Sequence, residues 1–130
     1  MKEDIIKRLA SLGYTFNEDK DYWVIEFLIE KVTNTIKNET NQSEIPEALY
    51  QVAIDMVCGE FLKTKKASGE LSGFVIDVNA LTLKQKSQGD TSVSFAADKT
   101  MSAEERLNAA IDHLINYGKP QFLRWRRLVW

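Results

Sequence analysis

The strongest helical signal in the chain is the run IPEALYQVAIDMVCGEF at residues 45–61. Its apolar residues recur at the spacing of one helix face over about four turns. Proline is well placed in a first helical turn, so Pro46 indicates where this helix starts. A stripe of this length predicts a central, well-covered helix. Its residues are Leu49, Val52, Ala53, Met56, Val57 and Phe61.

Two further helices are predicted before this run. The first covers about residues 2–12, and Gly13 follows at a position where a left-handed backbone costs little. The second covers roughly residues 19–37, with Asn17 or Asp19 as its cap. Its predicted apolar stripe is Val24, Phe27, Leu28, Val32 and Ile36, widened by Ile25 and Ile29.

A fourth main helix begins near residue 102. Ser102 followed by Glu105 is a capping box, and Gly118 with Pro120 indicates the end of the helix. The apolar stripe between them is Leu107, Ala110, Ile111, Leu114 and Ile115.

The chain between the third and fourth helices has a different pattern. Lysines and glycines predict an exposed, mobile loop at residues 63–73. Residues 81–86 and 91–95 then predict a β-hairpin, with a register that pairs Leu83 with Phe95 unless the loop length differs. A two-stranded hairpin is marginal alone. It therefore either folds back on its own helices or is completed by neighbouring copies of the chain.

The composition is typical of a single globular domain, with 130 residues of which 44% are hydrophobic and 28% charged. The predicted fold is mainly α: a four-to-five-helix bundle with a β-hairpin projecting between the third and fourth main helices. We expect a helical body at about residues 2–64 and 102–118, a loop and hairpin at about 65–97, and a C-terminal segment at about 119–130.

Charge and hydropathy argue against two classes of partner. The formal net charge of −2 gives no general electrostatic affinity for nucleic acid. No apolar run reaches the roughly 18 residues of a membrane span, so no membrane partner is expected.

The sequence shows no recognisable catalytic, metal or cofactor motif. His113 is the single histidine and Cys58 the single cysteine, which leaves no zinc-ligand spacing. We interpret His113 as a helix-surface or boundary residue and Cys58 as a small core residue. Carboxylates cluster at predicted helix starts, where capping and the helix dipole explain them. The prediction is a protein that is not an enzyme and holds no cofactor.

The C-terminal segment is unlike the rest of the chain. It carries Lys119, Arg124, Arg126 and Arg127 and no acid, together with large aromatic side chains. Arginine and tryptophan are enriched at interface hot spots. Three interpretations stay open: the tryptophans dock on this chain's own core while the arginines are solvated, the segment docks into a protein partner, or it meets a membrane surface or nucleic acid.

The order of the predicted elements along the chain is similar to that of a known protein family. An Ile45-Pro46 helix start, the hairpin KSQGDTSVSF at residues 86–95 and the basic end RWRRLVW at residues 124–130 follow one another. In these features the chain resembles the phage head–tail connector (adaptor) family, of the type found in phages, prophages and phage-tail-like particles of Gram-positive bacteria.

The resemblance implies a structural virion protein of the neck or collar, assembled in the bacterial host cytoplasm. Identical subunits would form a ring below the portal protein, carry a downstream neck or tail-completion protein, and let DNA pass without specific binding. Portal docking is implied for Phe122, Arg124, Trp125, Arg126, Arg127 and Trp130. A subunit–subunit or channel-facing role is implied for Lys84, Lys86, Gly89, Asp90, Val93 and Phe95.

Two other functions compete with the connector. A small nucleic-acid-binding regulatory protein would bind nucleic acid through its arginine-rich C-terminus. An enzyme with scattered catalytic residues would have His113 as its most conspicuous general base.

Overall fold

The computed structural model describes residues 1–77 and 102–126, and this part of the chain is mainly helical. The mainly α prediction is thereby confirmed. No strand occurs within the described residues, and the hairpin predicted between residues 81 and 95 lies outside them. The elements are α1 (Lys2–Ser11), α2 (Glu18–Thr40), a 3₁₀ turn (Glu47–Leu49), α3 (Tyr50–Ala67), α4 (Ala103–Asn116) and α5 (Gln121–Trp125).

Local capping sets most helix ends. Of the two candidates for the start of α2, Asn17 is the cap, because its side chain accepts hydrogen bonds from the backbone N–H groups of Asp19 and Lys20. Ser102 and Glu105 form the predicted capping box at the start of α4. Gly13 follows α1 with a φ of 98°, in the left-handed region that favours glycine.

Helix α3 lies at the centre and packs against α1, α2 and α4. Every residue of its predicted stripe is buried, as are all five apolar residues predicted for α4. Phe61 is the largest fully buried side chain and contacts the ring of Tyr14 edge-on. The prediction of a central third helix is therefore confirmed.

The buried face of α2 differs from the predicted stripe. Ile25, Leu28, Val32 and Ile36 are buried, whereas Phe27 is 65% exposed. An α-helix turns by about 100° per residue, so Phe27 lies roughly 160° around the axis from Ile25. The assignment of Phe27 to the core was therefore wrong, because the residues that α1 and α3 cover lie on the opposite side of the helix.

The predicted exposed loop at residues 63–73 also needs correction. Helix α3 continues to Ala67, and Lys65 within it is only 4% exposed. Leu71 is buried in the turn that follows. The backbone N–H of Asp77 then donates to the carbonyl of Leu12 at 3.0 Å. Several residues of this part of the chain are therefore packed against the helical body and are not in an exposed loop.

Two glycines allow close packing around α3. A Cβ on Gly59 would lie 2.7 Å from Ile115 Cγ1 of α4, and one on Gly118 would lie 2.3 Å from Val52 Cγ1 of α3. Helix α4 ends at Asn116, and Gly118 does not adopt a left-handed backbone. The predicted end of the helix before Gly118 is confirmed, and the absence of a side chain at Gly118 is in addition required for contact with α3.

The α3–α4 contact yields a stability prediction. Gly59→Ala should lower the free energy of unfolding by about 1–2 kcal/mol, since overpacking outweighs the gain in helix propensity of about 1 kcal/mol. Thermal or urea unfolding measures the change. In an Ile115→Ala background, which removes the nearest atom, the same substitution should cost less. An equal cost in both backgrounds would contradict the proposed clash.

Candidate functional site

The C-terminal segment is anchored at one residue and open at the next four. Phe122 of α5 is 5% exposed and belongs to the core. The side-chain amide of Gln42 donates to the carbonyl of Trp125, and Arg126 Nη1 donates to the carbonyl of Glu39 at 3.5 Å. These contacts hold α5 against the C-terminal end of α2.

We use the name C-terminal surface for Leu123, Arg124, Trp125 and Arg126, which are all exposed. Leu123 is 77% exposed, although sequence reasoning assigned it no site role. Its signal was its position next to Phe122, because neighbouring residues on a helix point in directions about 100° apart. The surface therefore combines apolar and cationic groups on a short, anchored helix.

The structure locates some of the predicted docking residues. Arg124, Trp125 and Arg126 lie together on the C-terminal surface, whereas Phe122 points into the core and takes the role of anchor. The first interpretation expected the tryptophans to dock on this chain's own core, but Trp125 is 37% exposed and Phe122 is buried there instead. Arg127 and Trp130 lie outside the described residues, as do the predicted hairpin residues Lys84, Lys86, Gly89, Asp90, Val93 and Phe95.

A second exposed surface was missed by sequence reasoning. Trp23 is 77% exposed and lies one turn before Phe27 on the same side of α2. We call this pair the α2 aromatic face. The signal was present in the sequence, since Ile25, Leu28, Val32 and Ile36 already form a complete buried stripe at spacings of three and four. Two additional aromatics on the opposite side have no role in that core.

A buried ion network joins the start of α2 to the end of α3. Asp21 is fully buried, and Lys65 Nζ lies 2.6 Å from its Oδ1 and 3.1 Å from Glu70 Oε2. The Tyr14 hydroxyl and the Asn17 backbone N–H donate to Asp21 Oδ2 at 2.7 and 2.9 Å. Burial opposes ionisation of Asp21, but hydrogen bonds from Lys65, Asn17 and Tyr14 outweigh it and hold its pKa below the usual value.

A second buried network surrounds Asp55 of α3. Arg8 Nε donates to Asp55 Oδ1 at 2.8 Å, and the Tyr117 hydroxyl donates to Oδ2 at 2.6 Å. The ring of His113 stacks on that of Tyr117, with centroids 5.1 Å apart. Burial lowers the pKa of His113, partly opposed by the charge of Asp55. The network connects three helices, so its first role is in holding the bundle together.

The described residues offer few groups suited to catalysis. Cys58 is buried in the core, as predicted, and burial raises the pKa of its thiol, which keeps it in the unreactive protonated form. His113 lies within α4 and is half-buried, at the boundary between core and surface, also as predicted. Across residues 1–77 and 102–126, no three His, Cys, Asp or Glu side chains are grouped to hold a metal ion. No helix in this same part of the chain is both long and apolar enough to span a membrane.

Comparison of the chain with protein-family models, curated proteins and solved structures finds no match in any of the three. Function is therefore inferred from the surfaces of the chain itself and from the resemblance drawn from its sequence. What the described surfaces offer chemically is binding: exposed aromatic and cationic groups held on a rigid helical body.

Proposed function

We propose that the chain is a structural subunit of a phage neck, a head–tail connector that forms a ring below the portal and links it to the tail. The C-terminal surface docks on the portal protein, and the downstream neck or tail-completion protein binds elsewhere on the ring. In this role the protein turns over no substrate, requires no cofactor, and is located in the virion or in a phage-tail-like particle.

The proposal rests on one observation: the side chains of the C-terminal surface are exposed to solvent, while the helix that bears them is fixed to the helical body. Because Phe122 is buried and α5 is tied to Gln42 and Glu39, little backbone conformational entropy is left to lose when Leu123, Arg124 and Trp125 meet a partner. Exposed arginine and tryptophan are enriched at interface centres, and the exposed leucine beside them adds apolar area that a partner can cover. This chemistry suits a protein partner.

The hairpin predicted at residues 81–95 is the proposed contact with the adjacent subunit or with the channel. The chain segments on either side of it, represented by Phe74, Val75, Ala103 and Glu104, line one cleft of the helical body. A segment that leaves and re-enters at one place is suited to a single projecting element. Such an element supplies the heterologous contact that a closed ring requires.

The docking proposal predicts the result of a charge reversal. Arg124→Glu/Arg126→Glu should weaken binding to the portal protein encoded with this chain by at least about tenfold, because it removes two cations at the interface centre. Co-purification and surface plasmon resonance with that portal measure the loss. Negative-stain images of particles carrying the variant should show heads separated from tails.

The matched control is Lys7→Glu/Lys63→Glu, which makes the same change in charge at two exposed positions on α1 and α3. It should bind the portal normally. Truncation after Gly118 is a poor test, since it also removes Phe122 from the core. Unchanged portal binding by the arginine variant would overturn the docking proposal. Duplex binding that falls steeply with salt would favour the nucleic-acid-binding alternative instead.

A further inference from the structure

Two exposed apolar surfaces account for most of the large apolar groups that the described residues leave in solvent. Of the five such side chains in residues 1–77 and 102–126, Trp23 and Phe27 form the α2 aromatic face, while Leu123 and Trp125 belong to the C-terminal surface. Val75 is the fifth. Paired aromatic groups in solvent, rather than single scattered ones, are typical of interaction sites.

The α2 aromatic face is held in place by its neighbours. The ring of Trp23 meets the ring of Tyr22 edge-on, with centroids 5.5 Å apart. Lys2 Nζ lies 3.7 Å from the centroid of the Tyr22 ring. Both Trp23 and Phe27 stand on a 23-residue helix whose opposite side is buried, so the surface is rigid before any partner binds.

The two surfaces differ in charge. Asp19, Glu26 and Glu30 are exposed along one edge of the α2 aromatic face. Along the other edge lie Lys20 and Lys31, and Lys31 is already paired with Glu60 at 3.2 Å.

The C-terminal surface is positively charged, opposite in sign to the edge of the α2 aromatic face that carries the three acids. It has Arg124 and Arg126, and the chain contains no acid from Lys119 onward. The acidic edge of the α2 aromatic face and the two arginines of the C-terminal surface are therefore complementary in charge, and both surfaces carry exposed aromatic groups.

The two surfaces cannot meet within one copy of the chain. Arg126 and Trp125 contact Glu39 and Gln42, at the C-terminal end of α2. Trp23 is sixteen positions before Glu39 in the sequence, a separation of about 24 Å at 1.5 Å per helical residue. Complementary surfaces at opposite ends of one helix are the arrangement of a head-to-tail contact between identical molecules.

We infer that the free protein self-associates head to tail, with the α2 aromatic face of one copy binding the C-terminal surface of a second copy. This goes beyond the proposed function, since it concerns the chain in solution and requires no phage particle. The surfaces are small, so the contact is weak and forms in the micromolar range or above. Portal docking uses the same C-terminal surface and therefore competes with self-association.

Sedimentation velocity of the full chain tests the inference. Between about 1 µM and about 1 mM protein, the weight-average mass should rise continuously above that of a monomer. Raising the ionic strength should shift the equilibrium towards monomer, because the charge contribution is screened. A monomer at every concentration would overturn the inference.

Two complementary variants test which surfaces meet. Trp23→Ala/Phe27→Ala removes the α2 aromatic face, and Arg124→Glu/Arg126→Glu reverses the C-terminal surface. Each should self-associate at least about tenfold more weakly than the unmodified chain. A mixture of the two should form one-to-one dimers and nothing larger, because each variant retains one intact surface. The control Val75→Ser, at an exposed apolar residue outside both surfaces, should change nothing.

Two results would contradict the head-to-tail contact. One is normal self-association of the arginine variant, which would indicate an aromatic contact between two α2 faces. The other is a mixture that stays monomeric while each variant keeps the helical circular dichroism of the unmodified chain. Combining Glu26→Arg/Glu30→Arg with Arg124→Glu/Arg126→Glu in one chain should restore self-association, and failure to do so counts against the inference as well.

Different experimental results would refute the head-to-tail contact and the connector function. The variant Trp23→Ala/Phe27→Ala retains its C-terminal surface, so it should bind the portal as the unmodified chain does even when self-association is lost. Self-association without portal binding would remove the connector function and leave the head-to-tail contact standing.

Discussion

Arg8→Met should lower the free energy of unfolding by about 3–5 kcal/mol, the cost of removing one partner from a buried ion pair. Arg8 and Asp55 are both buried, and their side chains meet at 2.8 Å. Without the guanidinium, the Asp55 carboxylate keeps one hydrogen bond, from Tyr117, but loses its counter-charge. The loss is a large part of the stability of a domain this size, and the melting temperature should fall by roughly 10–20 °C.

A second substitution and a surface control separate the buried charge from other effects. Arg8→Met/Asp55→Asn should recover part of the loss, because no uncompensated charge is left in the core. Lys31→Met breaks the exposed pair with Glu60 and should cost less than about 1 kcal/mol. A loss of similar size for Arg8→Met and Lys31→Met, measured by urea unfolding, would disprove the importance of the buried network.

Lys65→Met should be nearly as damaging, with a loss of about 3 kcal/mol at neutral pH. The substitution leaves Asp21 buried and ionised, with hydrogen bonds only from Tyr14 and Asn17 among those described above. It also releases the turn that holds Glu70. Chemical unfolding at pH 7 measures the loss. Lys66→Met is the matched control, because Lys66 is the next residue, is partly exposed, and meets Glu104 at 3.7 Å.

The effect of Lys65→Met should shrink as the pH falls. The native environment lowers the pKa of Asp21 below its ordinary value, so the ionised form stabilises the fold above that value. This contribution is lost as the pH falls through the native pKa. In the variant, burial without the lysine favours the protonated carboxyl, so acidification destabilises the variant less. The free energies of unfolding of the variant and of the unmodified chain should therefore converge as the pH is lowered from 7 to below about 3.9, the ordinary pKa of an aspartate. A constant difference would contradict this account.

Much of the helical architecture could be predicted from local patterns. The stripes of α3 and α4 were correct because these helices are covered along one continuous side, which apolar spacing records directly. The stripe of α2 was wrong at Phe27, since two apolar sides were present and spacing alone does not say which is covered. Lys65 was placed in a loop because lysine is rarely buried; it is buried here because Asp21 and Glu70 compensate its charge.

The candidate site was predictable in composition and not in arrangement. The cations and aromatics of the C-terminal segment are evident in the sequence, as is the lack of acids. That Phe122 is the anchor while Leu123 is exposed depends on how α5 lies against α2. The α2 aromatic face became visible only when the core side of that helix was known.

The sequence by itself determined the helix ends at Ser102 and Gly13 and reduced the cap of α2 to Asn17 or Asp19, because each end is set by hydrogen bonds or backbone freedom within about four residues. The tertiary structure alone decided which face of α2 is covered, why Gly118 must lack a side chain, and how Asp55 is neutralised. These depend on pairs far apart in the chain: Arg8 with Asp55 is separated by 47 positions. Such contacts form only when the helices pack, and no local pattern of residues encodes them.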